Sequence, residues 1–393
     1  MYASYVPNLR FPEFKGEWEK CKLSEICTFF SGGTPSSSNK DFYGGNIAFI
    51  RSGELHANST ELFITKAGFN SSSAKMVEVG DLLLAMYGAT SGEIAISKIE
   101  GAINQAILCV RTKQNKKFIE SVWNKHVSKI LRKYLQGGQG NLSADIVKGI
   151  SFYFPTIAEQ GRIANLVSLL DERIATQNKV IDKLQSLIKG LNNYFYQQYG
   201  NDVETSFSDL GYSYSGLSGK SATDFGSGKP FITYLNVYSN AVIDETSYQY
   251  VRIGNKEKQN VVRYGDVLFT LSSETPEEVG IGSVYLGNEE VYLNSFCFGI
   301  HITKAQKAFS PYMSYYISTS QFRKFIYPFA QGSTRFNLCK ADFEKATIKL
   351  PTLENQKQFY KSLKTLSDKI ALEESALNQY YNQKQYLLRQ MFI

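Results

Sequence analysis

Hydrophobic residues along the chain fall into two kinds of pattern: short clusters of strand length and long stretches with helical spacing. Turns rich in Gly and Ser separate the short clusters, which predicts buried strands in mixed α/β globules with much irregular loop. Apolar residues also recur in steps of three and four from Phe118 to Tyr134, so a helix should close the first globule. The strand-length clusters lie at residues 47–50, 82–87, 106–110, 231–234, 267–271 and 296–302.

A long helix should follow each globule. Apolar residues alternate in steps of three and four over residues 166–195 and again over residues 363–391, which is the spacing of a coiled-coil seam. Pro155 and Pro351 mark the junctions that lead into these helices, because proline is tolerated at a helix start but not deeper inside. A single helix of this length would expose its apolar stripe to water, so we expect the two helices to pack on each other.

The same landmarks occur twice in the same order, which indicates an internal repeat of about 190 residues. The residues between the landmarks differ strongly between the two copies, so the repeat predicts one scaffold carrying two different surfaces. The matched landmarks are Val79-Gly80-Asp81 with Tyr264-Gly265-Asp266, Asn104 with Asn294, Asn141-Leu142 with Asn337-Leu338, Pro155 with Pro351, Gln160 with Gln356, and Ile174-Ala175 with Ile370-Ala371.

Chain connectivity predicts how the two helices are arranged. The first helix starts at the first globule and leads, through a linker near residues 199–207, to the second globule, where the second helix starts. Packing side by side therefore requires an antiparallel pair with one globule at each end and a pseudo-twofold axis across the pair. Roughly thirty helical residues would span about 45 Å, or on the order of 10 to 13 base pairs of B-DNA.

Composition and charge narrow the class of protein only moderately. The chain carries 43 Lys and Arg against 36 Asp and Glu, a net charge of +7 that permits binding to a polyanion without demanding it. Five cysteines without a CxxC pair indicate reduced, mostly buried thiols in a cytoplasmic protein. No basic-then-apolar leader and no apolar run of about 20 residues is present, so we expect a protein that is neither secreted nor inserted in a membrane.

Several motifs recur along the chain in a fixed order. They are Trp18–Ile26 leading to Ser31-Gly-Gly-Thr-Pro35, Tyr43–Gly53, Val79–Leu84, Phe154–Gln160 with Leu169-Leu-Asp171, and the closing Leu387–Phe392. In this order the motifs resemble those of the DNA-sequence-specificity subunits of type I restriction–modification systems. The second half departs in places: Gly216-Leu-Ser-Gly-Lys220 stands where a Gly-Gly-Thr-Pro turn is expected, and Asn355 replaces a Glu.

The resemblance implies a subunit without catalysis of its own, whose partner is double-stranded DNA. Its two target-recognition domains would each read one half of a bipartite site. Its two helices would space these domains and dock two adenine methyltransferase subunits, which up to two restriction (translocase) subunits then join. The chain itself would bind no cofactor, because S-adenosylmethionine, ATP and Mg are expected on the partner subunits.

The predicted fold class is α/β, with two pseudo-twofold-related α/β target-recognition domains joined by an antiparallel pair of long coiled-coil helices. The first recognition domain covers residues 1–150 and the first spacer helix residues 151–200. The second recognition domain covers residues 201–346 and the second spacer helix residues 347–393.

No constellation of catalytic residues competes with this interpretation. His56, His126 and His301 show no metal-ligand spacing, either with each other or with cysteine. Gly219-Lys220-Ser221 resembles the end of a phosphate-binding loop, but Tyr214 occupies the position of the required upstream glycine. Two alternatives stay open: a duplicated scaffold or adaptor that binds protein rather than DNA, and a nuclease with an unrecognised site.

DNA recognition needs cations at phosphates and amide, hydroxyl or guanidinium groups at base edges, and loops that follow strands are the best places for the latter. Lys117 belongs to a basic segment that either contacts phosphate or forms a solvated helix face. The Gly-rich loops near residues 136–141 and 331–337 either read bases or serve as structural turns. The candidate residues are Arg51, Ser52, Tyr87, Thr90, Ser91, Lys117, Gln139 and Asn141 in the first half, and Tyr234, Asn236, Ser272, Ser273, Ser333, Thr334 and Arg335 in the second.

The surface of the long helices that is not used between them is a candidate for binding partner subunits. Ile188, Tyr194 and Tyr196 are apolar positions near the end of the first long helix that we expect to be exposed. They would contact the methyltransferase subunits or, alternatively, pack against a globule.

Overall fold

The computed structural model describes residues 5–134 and 141–393, and the chain divides into two compact units. The first unit comprises Met1–Asn178 together with Ser375–Ile393, and the second comprises Lys179–Glu374. No helix among the described residues combines the length and the apolar character needed to cross a membrane.

The described part of the first unit contains ten strands, four shorter helices and the first part of a long helix. The strands are β1 (Glu19–Lys22), β2 (Cys27–Ser31), β3 (Tyr43–Ile50), β4 (Phe63–Ile64), β5 (Lys75–Val77), β6 (Leu82–Ala85), β7 (Ile94–Ile96), β8 (Gly101–Ile103), β9 (Ile107–Thr112) and β10 (Ser151–Phe154). The helices are α1 (Leu23–Ile26), α2 (Lys66–Asn70), α3 (Lys116–Tyr134), α4 (Ala144–Gly149) and the long α5 (Ile157–Tyr199).

Two four-stranded sheets form the core of the first unit. One has the order β2-β9-β6-β7 with antiparallel neighbours, and the other has the order β4-β3-β8-β5, in which β3 and β8 are parallel. The central strand β6 is apolar along its whole length because alternate residues enter two different hydrophobic clusters. The predicted closing helix is confirmed as α3, which buries Phe118, Val122 and Trp123 against this core.

The second unit is built from twelve strands and five shorter helices among its described residues, followed by a second long helix that ends in the first unit. The strands are β11 (Val203–Thr205), β12 (Gly211–Ser215), β13 (Phe225–Ile232), β14 (Gln249–Val251), β15 (Val267–Thr270), β16 (Ser272–Ser273), β17 (Gly282–Val284), β18 (Tyr292–Leu293), β19 (Cys297–Ile302), β20 (Ala330–Gln331), β21 (Phe336–Leu338) and β22 (Ile348–Leu350). The helices are α6 (Phe207–Leu210), α7 (Tyr234–Ser239), α8 (Ser310–Tyr316), α9 (Ser320–Ile326), α10 (Lys340–Lys345) and the long α11 (Leu353–Met391).

The second unit repeats the architecture of the first. Its sheet β12-β19-β15-β17 corresponds strand by strand to β2-β9-β6-β7, and β14-β13-β18 corresponds to β4-β3-β8. Strands β13 and β18 are again parallel, and β13 carries a bulge between Phe225 and Lys229 as β3 does between Tyr43 and Ile47. The internal repeat inferred from sequence landmarks is therefore a repeat of topology.

The repeated Gly-Asp turn places a buried carboxylate beside the central strand of each unit. Each aspartate caps its own turn by accepting a backbone N–H from three residues upstream. Asp81 also accepts a hydrogen bond of 2.7 Å from Arg111, whereas Asp266 accepts one of 2.7 Å from Tyr214 and lies 2.6 Å from Nδ1 of His301. Burial opposes the charge on both carboxylates; hydrogen bonds from Arg111 nevertheless hold the pKa of Asp81 below its usual value, while burial raises the pKa of Asp266.

A buried glutamine fixes the start of the long helix in the first unit. Nε2 of Gln160 donates to the carbonyl oxygen of Pro155 at 2.9 Å and to Oε1 of Gln114 at 2.8 Å. Its Oε1 accepts the backbone N–H of Asn115 at 3.1 Å. The amide therefore ties the first turn of α5 to the segment that precedes α3.

The second unit makes the same junction with the matching glutamine. Nε2 of Gln356 donates to the carbonyl oxygens of Pro351 at 2.8 Å and Lys307 at 2.9 Å, and its Oε1 accepts the backbone N–H of Phe309 at 2.8 Å. A side-chain amide offers two N–H donors and a carbonyl acceptor at once, whereas a hydroxyl has only one donor and a carboxylate has none. This requirement explains why the Pro-to-Gln spacing occurs in both halves of the sequence.

Within the first unit, the segments of α5 and α11 pack side by side. Asp171 of α5 pairs with Lys384 of α11 at 2.5 Å, and Nε of Arg173 donates to the hydroxyl of Tyr380 at 3.0 Å. Residue numbers rise along α5 as they fall along α11, so the two segments run antiparallel, as the connectivity predicts.

The end of one predicted strand is wrong. Residues 231–234 were expected to continue the strand, but β13 ends at Ile232 and Tyr234 begins helix α7. The hydroxyl of Thr233 accepts the backbone N–H of Asn236 at 3.2 Å and so caps the helix. An N-cap threonine therefore turns the chain away from the sheet before its apolar run is complete.

Candidate nucleic-acid interface

In the second unit, a small sheet directly after the central strand positions several predicted residues. Ser272 and Ser273 form β16, which pairs with β21, and β21 pairs in turn with β20 to form a hairpin. Gly332 in the hairpin has a φ of 141°, and a Cβ there would lie 2.1 Å from the carbonyl oxygen of Arg335. Glycine is therefore required for the tight turn that presents Arg335.

These elements form a cleft of about 270 Å³. It brings together four residues that the sequence singled out on three separate segments. Ser333 and Thr334 are exposed in the same hairpin, next to the cleft. The cleft is lined by Tyr234, Leu235, Tyr238, Ser272, Ser273, Glu274, Glu278 and Arg335.

Fixed charges of both signs face this cleft. Hydroxyl groups of Tyr238 at 2.7 Å and Ser273 at 3.0 Å donate to the two oxygens of Glu278, and these hydrogen bonds lower the pKa of that carboxyl. The guanidinium of Arg335 lies 6.0 Å from the centre of the Phe296 ring. Among the described residues, no carboxylate lies within ion-pair distance of Arg335.

A half-buried arginine anchors the loop that carries Glu278, one of the two carboxylates lining the cleft. Arg323 of α9 donates to the carbonyl oxygens of Glu277 at 2.6 Å, Val279 at 2.7 Å and Gly280 at 2.9 Å. Burial lowers the pKa of Arg323. The loop after β16 is thus held in one conformation by the scaffold.

In the first unit, the two loops proposed to read bases lie next to each other. The imidazole of His56, which follows the Arg51 loop, lies 3.6 Å from the carboxylate of Glu93, which follows the Tyr87 loop. Arg51 is exposed but makes a hydrogen-bonded ion pair with Glu54 at 3.1 Å, and Tyr87 is exposed. Ser52 and Thr90 are half-buried within these loops, and Ser91 Oγ donates to a main-chain carbonyl at 3.0 Å.

The repeated Asn-Leu landmark is hydrogen-bonded to the residue that follows the central strand in both units. The backbone N–H of Leu142 donates to the carbonyl oxygen of Met86 at 2.9 Å, and that of Leu338 donates to Leu271 at 2.8 Å. Asn141 is exposed beside the Tyr87 loop, whereas Gln139 lies outside the described residues. The leucine of the landmark therefore fixes the backbone, while the asparagine before it stays exposed at the surface.

Two of the predicted DNA contacts are structural instead. Asn236 is 3% exposed, and its side-chain amide exchanges hydrogen bonds of 2.9 and 3.0 Å with the backbone of Asp244, so it holds a loop rather than facing a ligand. Nζ of Lys117 pairs with Asp171 at 2.7 Å and also with Glu120. Its charge is thus committed to the junction between α3 and α5. Ser272 and Ser273 contribute backbone and a buried hydroxyl to the cleft floor, not an exposed donor.

The predicted partner contacts separate into different environments. Tyr196 is half-buried, and its ring stacks on Tyr316 at 5.8 Å against the core of the second unit. This corresponds to the alternative of packing against a globule. Tyr194 is 51% exposed, and Ile188 is half-buried.

Sequence reasoning missed several residues at the cleft of the second unit. Tyr238 stacks on Tyr234 at 6.0 Å, four residues earlier on α7, and that helical spacing is a signal the sequence contained. Leu235, which lines the cleft, is 68% exposed, and Phe296, whose ring lies 6.0 Å from the guanidinium of Arg335, is 56% exposed. No group of His, Cys, Asp and Glu that could hold a metal ion occurs among the described residues.

Comparisons with known proteins agree with the geometry. The model of the type I restriction modification DNA specificity domain matches residues 15–186 and again residues 217–380. The type I restriction enzyme MjaVIII specificity subunit of Methanocaldococcus jannaschii is 21% identical over 97% of this chain and 92% of its own length. The EcoR124I/EcoR124II specificity subunit of Escherichia coli is 29% identical over 51% of this chain and 50% of its own length. The crystal structure of a type I S subunit from M. genitalium shares the fold with a TM-score of 0.57 at 15% identity, covering 99% of both chains.

Proposed function

Since the chain belongs to the type I restriction modification DNA specificity family, we propose that each of its two units reads one half of an interrupted DNA site. The observation that carries this proposal is the combination of one scaffold with two different surfaces. Both units use the same sheets and the same glutamine junction. The loop after the central strand differs between them: it is a short turn at residues 87–91 in one and a longer strand and loop at residues 272–279 in the other. Different half-sites require such a difference.

Affinity and specificity would come from separate groups. Lysines and arginines at the rim would neutralise phosphates, so binding should weaken steeply as salt rises. Exposed side chains on the loops, among them Tyr87 and Asn141 in the first unit and Ser333, Thr334 and Arg335 in the second, would contact base edges. Each good base contact contributes about 1 to 3 kcal/mol of discrimination.

Two methyltransferase subunits would dock on the long helices, and up to two restriction subunits would join them. The helices keep large apolar side chains at the surface, which is typical of protein-binding surfaces. They include Leu169, Tyr381 and Tyr386 in the first unit and Leu187, Tyr194 and Leu372 in the second. S-adenosylmethionine, ATP and Mg would then be bound by the partners.

Methylome sequencing of cells that carry the chain with its methyltransferase subunits tests the proposal. We expect adenine methylation at an interrupted motif with two defined halves. Replacing residues 20–135 by the matching segment of a relative should change one half of the motif and leave the other intact. A motif without two halves, or a change in both halves, would contradict the proposal. A salt-insensitive complex with a protein and no DNA binding would instead favour a scaffold.

A further inference from the structure

The cleft of the second unit is lined by both a positively charged donor, Arg335, and a negatively charged acceptor, Glu274. We propose that the half-site read by the second unit contains a G·C base pair, with Arg335 donating to guanine and Glu274 accepting from the cytosine amino group. This inference rests on the proposed function, because it names the base pair that the second unit selects.

Arg335 is suited to read a base rather than to stabilise the fold. It is exposed, and no described carboxylate lies within ion-pair distance of it. Its position is nevertheless restricted, because β21 and the tight turn at Gly332 hold the backbone and the Phe296 ring lies under the guanidinium. A held guanidinium presents two parallel N–H groups, which match O6 and N7 of guanine in the major groove.

The acidic wall argues against a phosphate at this position. Glu274 and Glu278 both line the cleft, and the hydrogen bonds from Tyr238 and Ser273 keep Glu278 ionised. Two carboxylates beside one arginine would repel a phosphate group. A carboxylate does, however, accept a hydrogen bond from the cytosine amino group. Glu278 is already bonded to two hydroxyls, so the exposed Glu274 is the acceptor that remains for a ligand.

The apolar rim strengthens the same conclusion. Leu235 lines the cleft and Phe296 lies beside Arg335; both side chains are largely exposed and would exclude water from a bound base-pair edge. Hydrogen bonds between charged groups and bases gain strength when water is excluded. The Arg323 anchor keeps the acidic loop in place, so little ordering would be required on binding.

The test uses the whole chain assembled with its methyltransferase subunits. Methylation motifs are determined by sequencing for the wild-type complex and for R335K, R335A and E274A. We expect a G·C position in one half of the wild-type motif, and relaxation at that position by roughly 5- to 150-fold in all three variants. R263A is the matched control, because Arg263 is also exposed in the second unit but lies outside the cleft. It should leave the motif unchanged.

Substitution by lysine separates base reading from phosphate contact, because lysine keeps the charge but cannot form the bidentate contact. If R335K behaves as wild type while R335A weakens methylation equally at all sites, the inference is wrong. A wild-type motif whose affected half lacks a G·C pair, or loss of all methylation by an assembled R335 variant, also overturns it. Absence of any interrupted motif in the wild type would instead refute the proposed function.

Discussion

The buried glutamine at the start of α5 offers the sharpest test of how the scaffold is built. Gln160 is 1% exposed and makes three hydrogen bonds, two as a donor and one as an acceptor. The substitution Q160A removes all three. Gln114 is half-buried and can turn to water, but the carbonyl oxygen of Pro155 and the N–H of Asn115 would lose their partner inside the protein.

The expected loss of stability follows from these two orphaned groups. An unsatisfied buried backbone group costs about 1 to 3 kcal/mol, so the two orphaned groups of Q160A should lower the free energy of unfolding of the first unit by about 2 to 6 kcal/mol. Q160E should be at least as destabilising at neutral pH, because it retains the acceptor but loses both donors and places a charge in a buried site. Part of its stability should return in acid, when the carboxyl is protonated and can donate again.

Tryptophan fluorescence isolates the relevant unit. The chain has two tryptophans, and Trp18 and Trp123 are both buried in the core of the first unit. Urea unfolding followed by this signal should show a midpoint lower by about 1 to 3 M for Q160A, taking a urea m-value of about 2 kcal/mol/M. Q383A is the matched control, since Gln383 is exposed on α11 in the same unit. If Q160A and Q383A shift the midpoint equally, the glutamine is not a structural junction.

Three further predictions follow from other contacts. The ion pair between Asp81 and Arg111 lowers the pKa of Asp81 in the folded state. The stability that the pair contributes should therefore be present above about pH 4 and lost as the pH falls through the folded pKa. In unfolding curves, D81N should remove this pH dependence and leave Arg111 without its partner. R323K should make the loop of residues 274–280 less ordered, because lysine cannot bond to all three carbonyl oxygens that Arg323 contacts. Hydrogen exchange of residues 274–280 should become faster, with little change in the core. Unchanged exchange would show that Arg323 does not anchor this loop. G332A should reduce DNA affinity by displacing the hairpin, whereas G149A, where no atom lies near the added Cβ, should not.

Equivalent positions in the two units meet the same requirement with different chemistry. Both units bury an aspartate beside the central strand, but the first neutralises it with Arg111 and the second surrounds it with Tyr214 and His301. The opposite directions of the two pKa shifts follow from this difference. The pH response of one unit therefore cannot be transferred to the other, even though their strands align.

Sequence reasoning identified the scaffold well because its signals are local and repeated. The closing helix α3, both long helices and the Pro-to-Gln junctions each follow from spacing along the chain. The surface was harder to predict. Asn236 and Lys117 have the chemistry of DNA contacts, but only the folded chain shows that Asn236 bonds to the backbone of Asp244 and that Lys117 pairs with Asp171 of the long helix.

The amino-acid sequence alone determined that the chain is a duplicated α/β protein with long apolar-striped helices, since hydrophobic periodicity and matched landmarks depend only on residue order. The tertiary structure decided which polar residues are free. Among the described residues, Arg335 has no ion-pair partner, whereas Asn236 is hydrogen-bonded to Asp244 and Lys117 is paired with Asp171. The physical reason is that a side chain's availability depends on which groups approach it in space, and hydrogen bonds between remote segments leave no periodic trace in the sequence.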